Sequence, residues 1–118
     1  MIDLRIPLLA LPLLLATGPA NAAAQTKFWN LTENTVDGLW LAPAGTTGWG
    51  PNQALNDNDK TVDHDERLKI TGVKTGVYDV RLTDVRKRSC VIKGVKVTEG
   101  EVFTIEEADL AKATCGKK

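Results

Sequence analysis

Side chains able to do covalent chemistry are scarce in this sequence. His64 is its only histidine, Ser89 its only serine, and Cys90 and Cys115 its only cysteines. A catalytic serine needs a histidine beside it and a sharp, glycine-flanked turn that exposes it, whereas Ser89 opens a strand-like segment. The acidic residues include no pair in the apolar context that a glycosidase acid requires. We therefore expect no catalytic residues, no cofactor and no enzymatic activity.

A run of aspartates forms the most suggestive segment for a metal ion. Asp57, Asp59, Asp63 and Asp65 fall within residues 56–66. Calcium takes about six to eight oxygen ligands, and alternate Asp and Asn residues can supply several of them. The EF-hand pattern fails, because a valine replaces the glycine at its sixth position and no glutamate stands at its twelfth. The segment is therefore predicted to be a solvated turn, with a weak calcium site at the four aspartates as the alternative.

The longest segment without strand character, residues 43–61, is dense in Gly, Pro, Asn and Asp. Long irregular loops in small domains are usually functional or disordered, and this one carries Trp49 between two glycines. Tryptophan is enriched at binding hot spots, so we predict a recognition surface at Trp49, Asn52 and Gln53. The alternative is that Trp49 plugs the core and the two amides cap backbone groups of the loop.

The charge of the chain is balanced, with fifteen Lys plus Arg against fifteen Asp plus Glu. Affinity for nucleic acid scales with the number of phosphates that a protein neutralises. One basic cluster, residues 86–88, is a poor basis for that function, and we expect no nucleic-acid partner. The cluster is predicted to be a solvated hairpin tip whose charges discourage edge-to-edge pairing of sheets.

Residues 1–22 have the pattern of a secretory signal. A positively charged head precedes an apolar run that is too short to cross a bilayer as a helix, and residues 20–22 form an A-x-A cleavage site. We predict cleavage after Ala22 and a single domain over residues 23–118. The mature protein is expected to be periplasmic or secreted, with no membrane span.

Export gives the two cysteines a structural meaning. In an oxidising compartment a lone pair of cysteines usually forms a disulfide, and the C-x-x-C spacing of a redox-active pair is absent. We predict a Cys90–Cys115 bridge, which would contribute about 3.5 kcal/mol by the chain-entropy estimate.

Most of the remaining sequence has the composition and spacing of short strands. Six segments rich in β-branched and aromatic residues are separated by turn signals: 26–32, 36–42, 67–71, 77–83, 89–97 and 102–105. This pattern predicts an all-β fold, either a small antiparallel β-sandwich or an open barrel of about six strands, with a short C-terminal helix.

Some local features of these strands are also predictable. Alternation in the fourth segment places Asp79 and Arg81 on the solvent face, opposite its apolar residues. Gly38 and Gly94 interrupt strand patterns and indicate bulges. Residues 104–113 carry acids near their start and are followed by glycine, which favours a short helix.

Blocks distributed over nearly the whole mature chain carry a resemblance. They are LWLAPAG (39–45), WGPNQAL (49–55), GVYDVR (76–81), Cys90 and Cys115. The chain resembles a family of small exported bacterial β-sandwich domains with the pattern "LYLSPAG…WG.NQL…YDVR…C…C". It departs from the family at residues 63–66, where such proteins tend to have a Pro-Gly turn. The resemblance implies a fold and a compartment, but the family has no assigned activity.

These observations together favour a non-enzymatic, exported binding or interaction module of unknown ligand. Its partner is expected to be another protein of the cell envelope. Two alternatives remain, a small inhibitor of an extracytoplasmic hydrolase and a calcium-binding accessory protein. The sequence does not indicate an oligomeric state.

Overall fold

The computed structural model describes residues 24–118, so the predicted signal peptide lies outside the described residues. The regular secondary structure of the described part is almost entirely strand, with two short helices, which confirms the predicted all-β class. In chain order its elements are β1 (Lys27–Leu31), β2 (Val36–Pro43), a short 3-10 helix (Gln53–Asn56), β3 (Arg67–Lys69), β4 (Gly76–Asp84), β5 (Arg88–Val97), β6 (Val102–Glu106), α1 (Glu107–Ala111) and β7 (Thr114–Lys117).

The strands form two sheets, ordered β3-β1-β6 and β2-β4-β5-β7. Every neighbouring pair is antiparallel except β1 and β6, which run parallel with Phe28 opposite Phe103. A parallel pair needs a long connection, and here the connection contains all the other strands except β7. The predicted sandwich is confirmed, with this one exception to its antiparallel pairing.

Side chains from both sheets enclose a single hydrophobic core. Phe28 and Phe103 lie with their ring centroids 5.6 Å apart, and Leu39 and Leu82 are fully buried. Burial of each such side chain contributes about 1.5–3 kcal/mol. The cluster comprises Phe28, Val36, Leu39, Leu41, Val62, Leu68, Ile70, Val80, Leu82, Cys90, Val97, Phe103, Ile105 and Leu110.

Both predicted bulges are present. The pairing of β2 with β4 shifts register between Val36 and Gly38, and the pairing of β4 with β5 shifts opposite Gly94. Gly94 has a φ of 71°, a left-handed conformation that glycine adopts without steric cost. The bulge at Gly94 points its N–H at the carboxylate of Asp79, 3.3 Å away.

Asp79 departs from the predicted alternation. We expected it to face solvent, but it is only 4% exposed. The loop after β2 lies over it, and the N–H of Gly45 in that loop donates a hydrogen bond to its carboxylate at 3.0 Å. The bonds from Gly45 and then Gly94 hold the pKa of Asp79 below its ordinary value. The prediction was wrong here, since a pattern within one strand does not reveal the loops that fold over it.

The C-terminal segment contains less helix than predicted. Helix α1 spans Glu107–Ala111, where residues 104–113 were expected to be helical. Asp109 accepts a hydrogen bond from the N–H of Glu106 at 2.8 Å, which fixes the start of the helix. The predicted disulfide is confirmed: Cys90 and Cys115 are direct partners of β5 and β7, with their Cα atoms 4.0 Å apart.

Candidate functional site

The segment after β2 folds back along the free edge of that strand. Gly50 donates its backbone N–H to the carbonyl of Leu41 at 2.9 Å, and the Asn52 side chain accepts the N–H of Leu39 at 2.9 Å. An unpaired strand edge exposes backbone groups to other chains, and these two contacts occupy that edge. The fold-back also fixes Trp49, which lies directly before Gly50, beside the outer face of the four-stranded sheet.

On this outer face, one guanidinium packs against two indole rings. Trp40 and Arg81 are cross-strand partners of β2 and β4. The Arg81 guanidinium carbon lies 5.6 Å from the ring centroid of Trp40 and 4.8 Å from that of Trp49. Cations within about 6 Å of an aromatic face are attracted by its quadrupole. We call the surface formed by Trp40, Arg81 and Trp49 the indole face.

Gly38 makes room for this arrangement. A Cβ atom at Gly38 would lie 2.4 Å from Cη2 of Trp40 and 2.4 Å from Oγ1 of Thr83. Every other residue type carries a Cβ, so the indole of Trp40 can lie across this point of β2 only if it is glycine. The predicted bulge residue therefore also positions one ring of the indole face.

The polar side-chain groups of the indole face have no hydrogen-bond or salt-bridge partner within residues 24–118. All three side chains are half-buried, and Trp40 and Trp49 lie outside the core cluster. Within residues 24–118, Arg81 has no carboxylate within 4.0 Å, unlike Arg88. In the same part of the chain the two indole N–H groups find no acceptor, whereas that of Trp29 bonds Asp65 at 2.9 Å. The face therefore offers two aromatic rings and several free donors.

Asn52 and Gln53 use their side-chain amides within the protein. Besides Leu39, the oxygen of Asn52 accepts the N–H of Ala54 at 3.0 Å, which caps the 3-10 helix. Gln53 is 2% exposed, and its amide exchanges two hydrogen bonds with the backbone of Thr71, at 2.9 and 3.0 Å. The oxygen of Asn52 and the whole amide of Gln53 are therefore engaged within the protein, whereas Trp49 lies on the indole face.

Three of the four aspartates of the acidic segment have carboxylates with different hydrogen-bond partners. Asp57 accepts the N–H of Asp59 at 2.9 Å, Asp63 accepts the hydroxyl of Thr35 at 3.0 Å, and Asp65 accepts the indole N–H of Trp29. Within residues 24–118 no group of three or more His, Cys, Asp or Glu side chains is arranged to hold a metal ion. The calcium site stays a prediction that these contacts do not support.

The scarce reactive side chains are not brought together. The Nδ1 atom of His64 lies 2.7 Å from the carbonyl oxygen of Thr32, whereas Ser89 stands in β5 opposite Thr83. His64 is exposed to solvent. The described residues show no hydrogen bond between His64 and Ser89, the contact by which a histidine activates a serine.

The basic turn is solvated only in part. Arg86 and Lys87 are exposed, but Arg88 bonds Asp84 at 2.9 Å and Glu107 at 2.8 Å. The carboxylate of Glu107 raises the pKa of Arg88 above its ordinary value, and Arg88 in turn lowers the pKa of Glu107. The expectation of a fully solvated tip is corrected at Arg88, which ties the β4–β5 hairpin to α1.

A second cation–aromatic pair lies on the outer face of the three-stranded sheet. Trp29 and Arg67 are cross-strand partners of β1 and β3, with the guanidinium carbon 4.0 Å from the ring centroid. The sequence patterns predicted neither this pair nor the membership of Arg81 and Trp40 in the first site. These Trp and Arg residues become neighbours through the register between paired strands. The sequence of a single strand does not specify that register.

No protein-family model, curated protein or solved structure matches this chain. Within residues 24–118 the structure has no helix long and apolar enough to cross a membrane.

Proposed function

We propose that this chain is a non-enzymatic, exported module that binds another protein of the cell envelope through the indole face. The observation that carries the proposal is the packing of Arg81 between Trp40 and Trp49 outside the core. Trp and Arg are the residue types most enriched at protein-binding hot spots. Export is supported by the signal pattern and by the Cys90–Cys115 disulfide, and the resemblance to exported bacterial domains agrees with it.

The indole face is held in place before any partner arrives. Gly50 is bonded to Leu41, Trp40 lies within a paired strand, and Pro51 stiffens the chain beyond Trp49. Side chains that are already ordered lose little entropy on binding, which leaves more of the contact energy for affinity. This favours a recognition role over a flexible surface loop.

The chemistry of the face indicates what the partner must offer. The edges of the Arg81 guanidinium carry planar N–H donors that match a carboxylate in two-point contact. The rings of Trp40 and Trp49 would pack against an apolar or aromatic side chain. We therefore expect the partner to present an acidic residue beside an apolar one.

Affinity capture from an envelope extract tests this function with a matched pair of variants. Trp49→Ala removes an indole from the indole face, and Trp29→Ala removes one from the Trp29–Arg67 pair on the other sheet. We expect a partner that is retained by the wild type and by Trp29→Ala but is lost by Trp49→Ala. Thermal unfolding of both variants shows that they remain folded.

Two results of this experiment would contradict the proposal. If Trp49→Ala and the wild type retained every captured protein equally, the indole face would have no role in recognition. Loss of the partner by Trp29→Ala alone would show that the binding surface lies on the other sheet.

If the captured partner is a hydrolase whose activity falls on addition of the pure domain, the module acts as its inhibitor.

A further inference from the structure

The outer face of the three-stranded sheet concentrates positive charge. Lys27 of β1 and Lys69 of β3 are direct cross-strand partners, and Arg67 follows in the next pair on the same face. Like charges directly opposite each other destabilise a sheet. The fold therefore carries an unfavourable like-charge pair at this position.

These three cations lack protein counter-ions. Within residues 24–118 no carboxylate lies within the 4.0 Å of a salt bridge to any of them, whereas Arg88 and Lys118 have such partners. Two acids lie in the surroundings and have other partners: the carboxylate of Asp57, which lines the same pocket, accepts the N–H of Asp59 at 2.9 Å, and that of Asp65 accepts the indole N–H of Trp29 at 2.9 Å. An external anion can supply the missing negative charge.

The surroundings have the shape and the donors of a binding site. A shallow pocket of about 470 Å³ is lined by Gln25, Lys27, Asn56, Asp57, Asn58, Arg67, Leu68 and Lys69. The guanidinium carbon of Arg67 lies over the ring of Trp29, 4.0 Å from its centroid, and among residues 24–118 the guanidinium makes no hydrogen bond or salt bridge. A stacked arginine is preorganised for two-point contact with an oxyanion.

We infer that Lys27, Arg67 and Lys69 form a binding site for a phosphate group. Three cations suit a group that carries more than one negative charge, because each added charge contact strengthens binding. The phosphate group comes either from a soluble phosphorylated molecule or from a lipid headgroup. The site lies on the other sheet from the indole face and does not depend on the function proposed there.

Titration of the full exported protein with inorganic pyrophosphate, followed by NMR of the tryptophan indole N–H groups, tests the site. The resonance of Trp29, identified by its absence from Trp29→Phe, should move with added pyrophosphate, and those of Trp40 and Trp49 should not. Arg67→Gln and Lys69→Gln should each weaken binding about tenfold. Lys96→Gln, an exposed lysine of β5 on the other sheet, should leave the affinity unchanged.

A stability measurement separates this binding role from a structural one. Lys69→Gln removes the repulsion of Lys27, so its melting temperature should equal or exceed that of the wild type while its pyrophosphate affinity falls. A stationary Trp29 resonance, or equal loss of affinity in Lys96→Gln, would overturn the site. A lower melting temperature in Lys69→Gln would also overturn it, because the lysine would then serve the fold.

Sedimentation with vesicles identifies the source of the phosphate group. Retention on phosphatidylcholine vesicles that contain phosphatidic acid, reversed by pyrophosphate, assigns the site to a lipid headgroup. Binding of pyrophosphate without retention on these vesicles assigns it to a soluble phosphorylated molecule.

Discussion

Replacement of Trp49 by alanine should cost about 2 kcal/mol of unfolding free energy. A fully buried tryptophan removes about 150–250 Å² from water, and half-burial of Trp49 corresponds to about 100 Å². At about 25 cal/mol per Å² this gives about 2.5 kcal/mol, an upper value because the unfolded chain already buries part of the ring. A tryptophan in the core would cost about 3–5 kcal/mol instead.

Urea unfolding followed by circular dichroism measures this cost without relying on the fluorescence of the removed residue. Leu82→Ala, which truncates a fully buried side chain, calibrates the same assay with an expected loss of about 2–5 kcal/mol. The contact with Arg81 can be isolated by a double-mutant cycle with Arg81→Met, which keeps the aliphatic stem and removes the charge. We expect a coupling of about 0.5–1 kcal/mol, typical of an exposed cation–aromatic pair.

Two outcomes would refute this reasoning. A loss clearly above about 3 kcal/mol, the lower end for truncation of a core tryptophan, would show that Trp49 belongs to the core, and the indole face would then be a structural feature. A loss below about 0.5 kcal/mol, the usual range for surface substitutions, would show that Trp49 does not pack on Arg81. In either case the coupling with Arg81→Met would also depart from the expected value.

Three further predictions concern stability. Cys90→Ser should lower the unfolding free energy by about 2–5 kcal/mol, measured by urea unfolding against the wild type with and without reductant. Gly38→Ala should cost about 1–3 kcal/mol and change the near-ultraviolet circular dichroism, because its Cβ would lie 2.4 Å from the ring of Trp40. The bond to Arg88 lowers the pKa of Glu107 in the folded protein. Its contribution to stability is therefore present at a pH above 4.5, the ordinary pKa, and is lost as the pH falls through the folded pKa. Glu107→Gln should accordingly lose less stability than the wild type between neutral and acidic pH.

Each of these predictions has an internal control. Reductant should bring wild type to the stability of Cys90→Ser, and a variant as stable as the oxidised protein would contradict the role of the disulfide. Gly116→Ala adds a Cβ with no atom within 4 Å, so it should neither destabilise the protein nor change the spectrum. Parallel pH profiles of Glu107→Gln and wild type would show that the Arg88 contact contributes nothing to folding.

Sequence patterns located the strands in which apolar and polar residues alternate. They failed for segments whose structure is determined by contacts with distant parts of the chain. Residues 77–83 alternate clearly and form the centre of β4, but Thr114–Lys117 has no strand pattern and becomes β7 through its pairing with β5 and the disulfide. The predicted helix was too long because Thr104 and Ile105 pair with β1 instead. The members of the indole face were predictable only at Trp49, since the stacking of Arg81 depends on the register between β2 and β4.

The parallel pairing of β1 with β6 has a consequence for the order of folding. The three-stranded sheet is completed only when Lys27 meets Val102 and Trp29 meets Thr104, whereas the β4–β5 hairpin joins neighbouring segments of the chain. Contacts between distant segments form slowly, because the entropy of closing the long loop must be lost first. During folding, β1 therefore completes its sheet only after β6 is in place, and until then its edge toward β6 has no backbone partner.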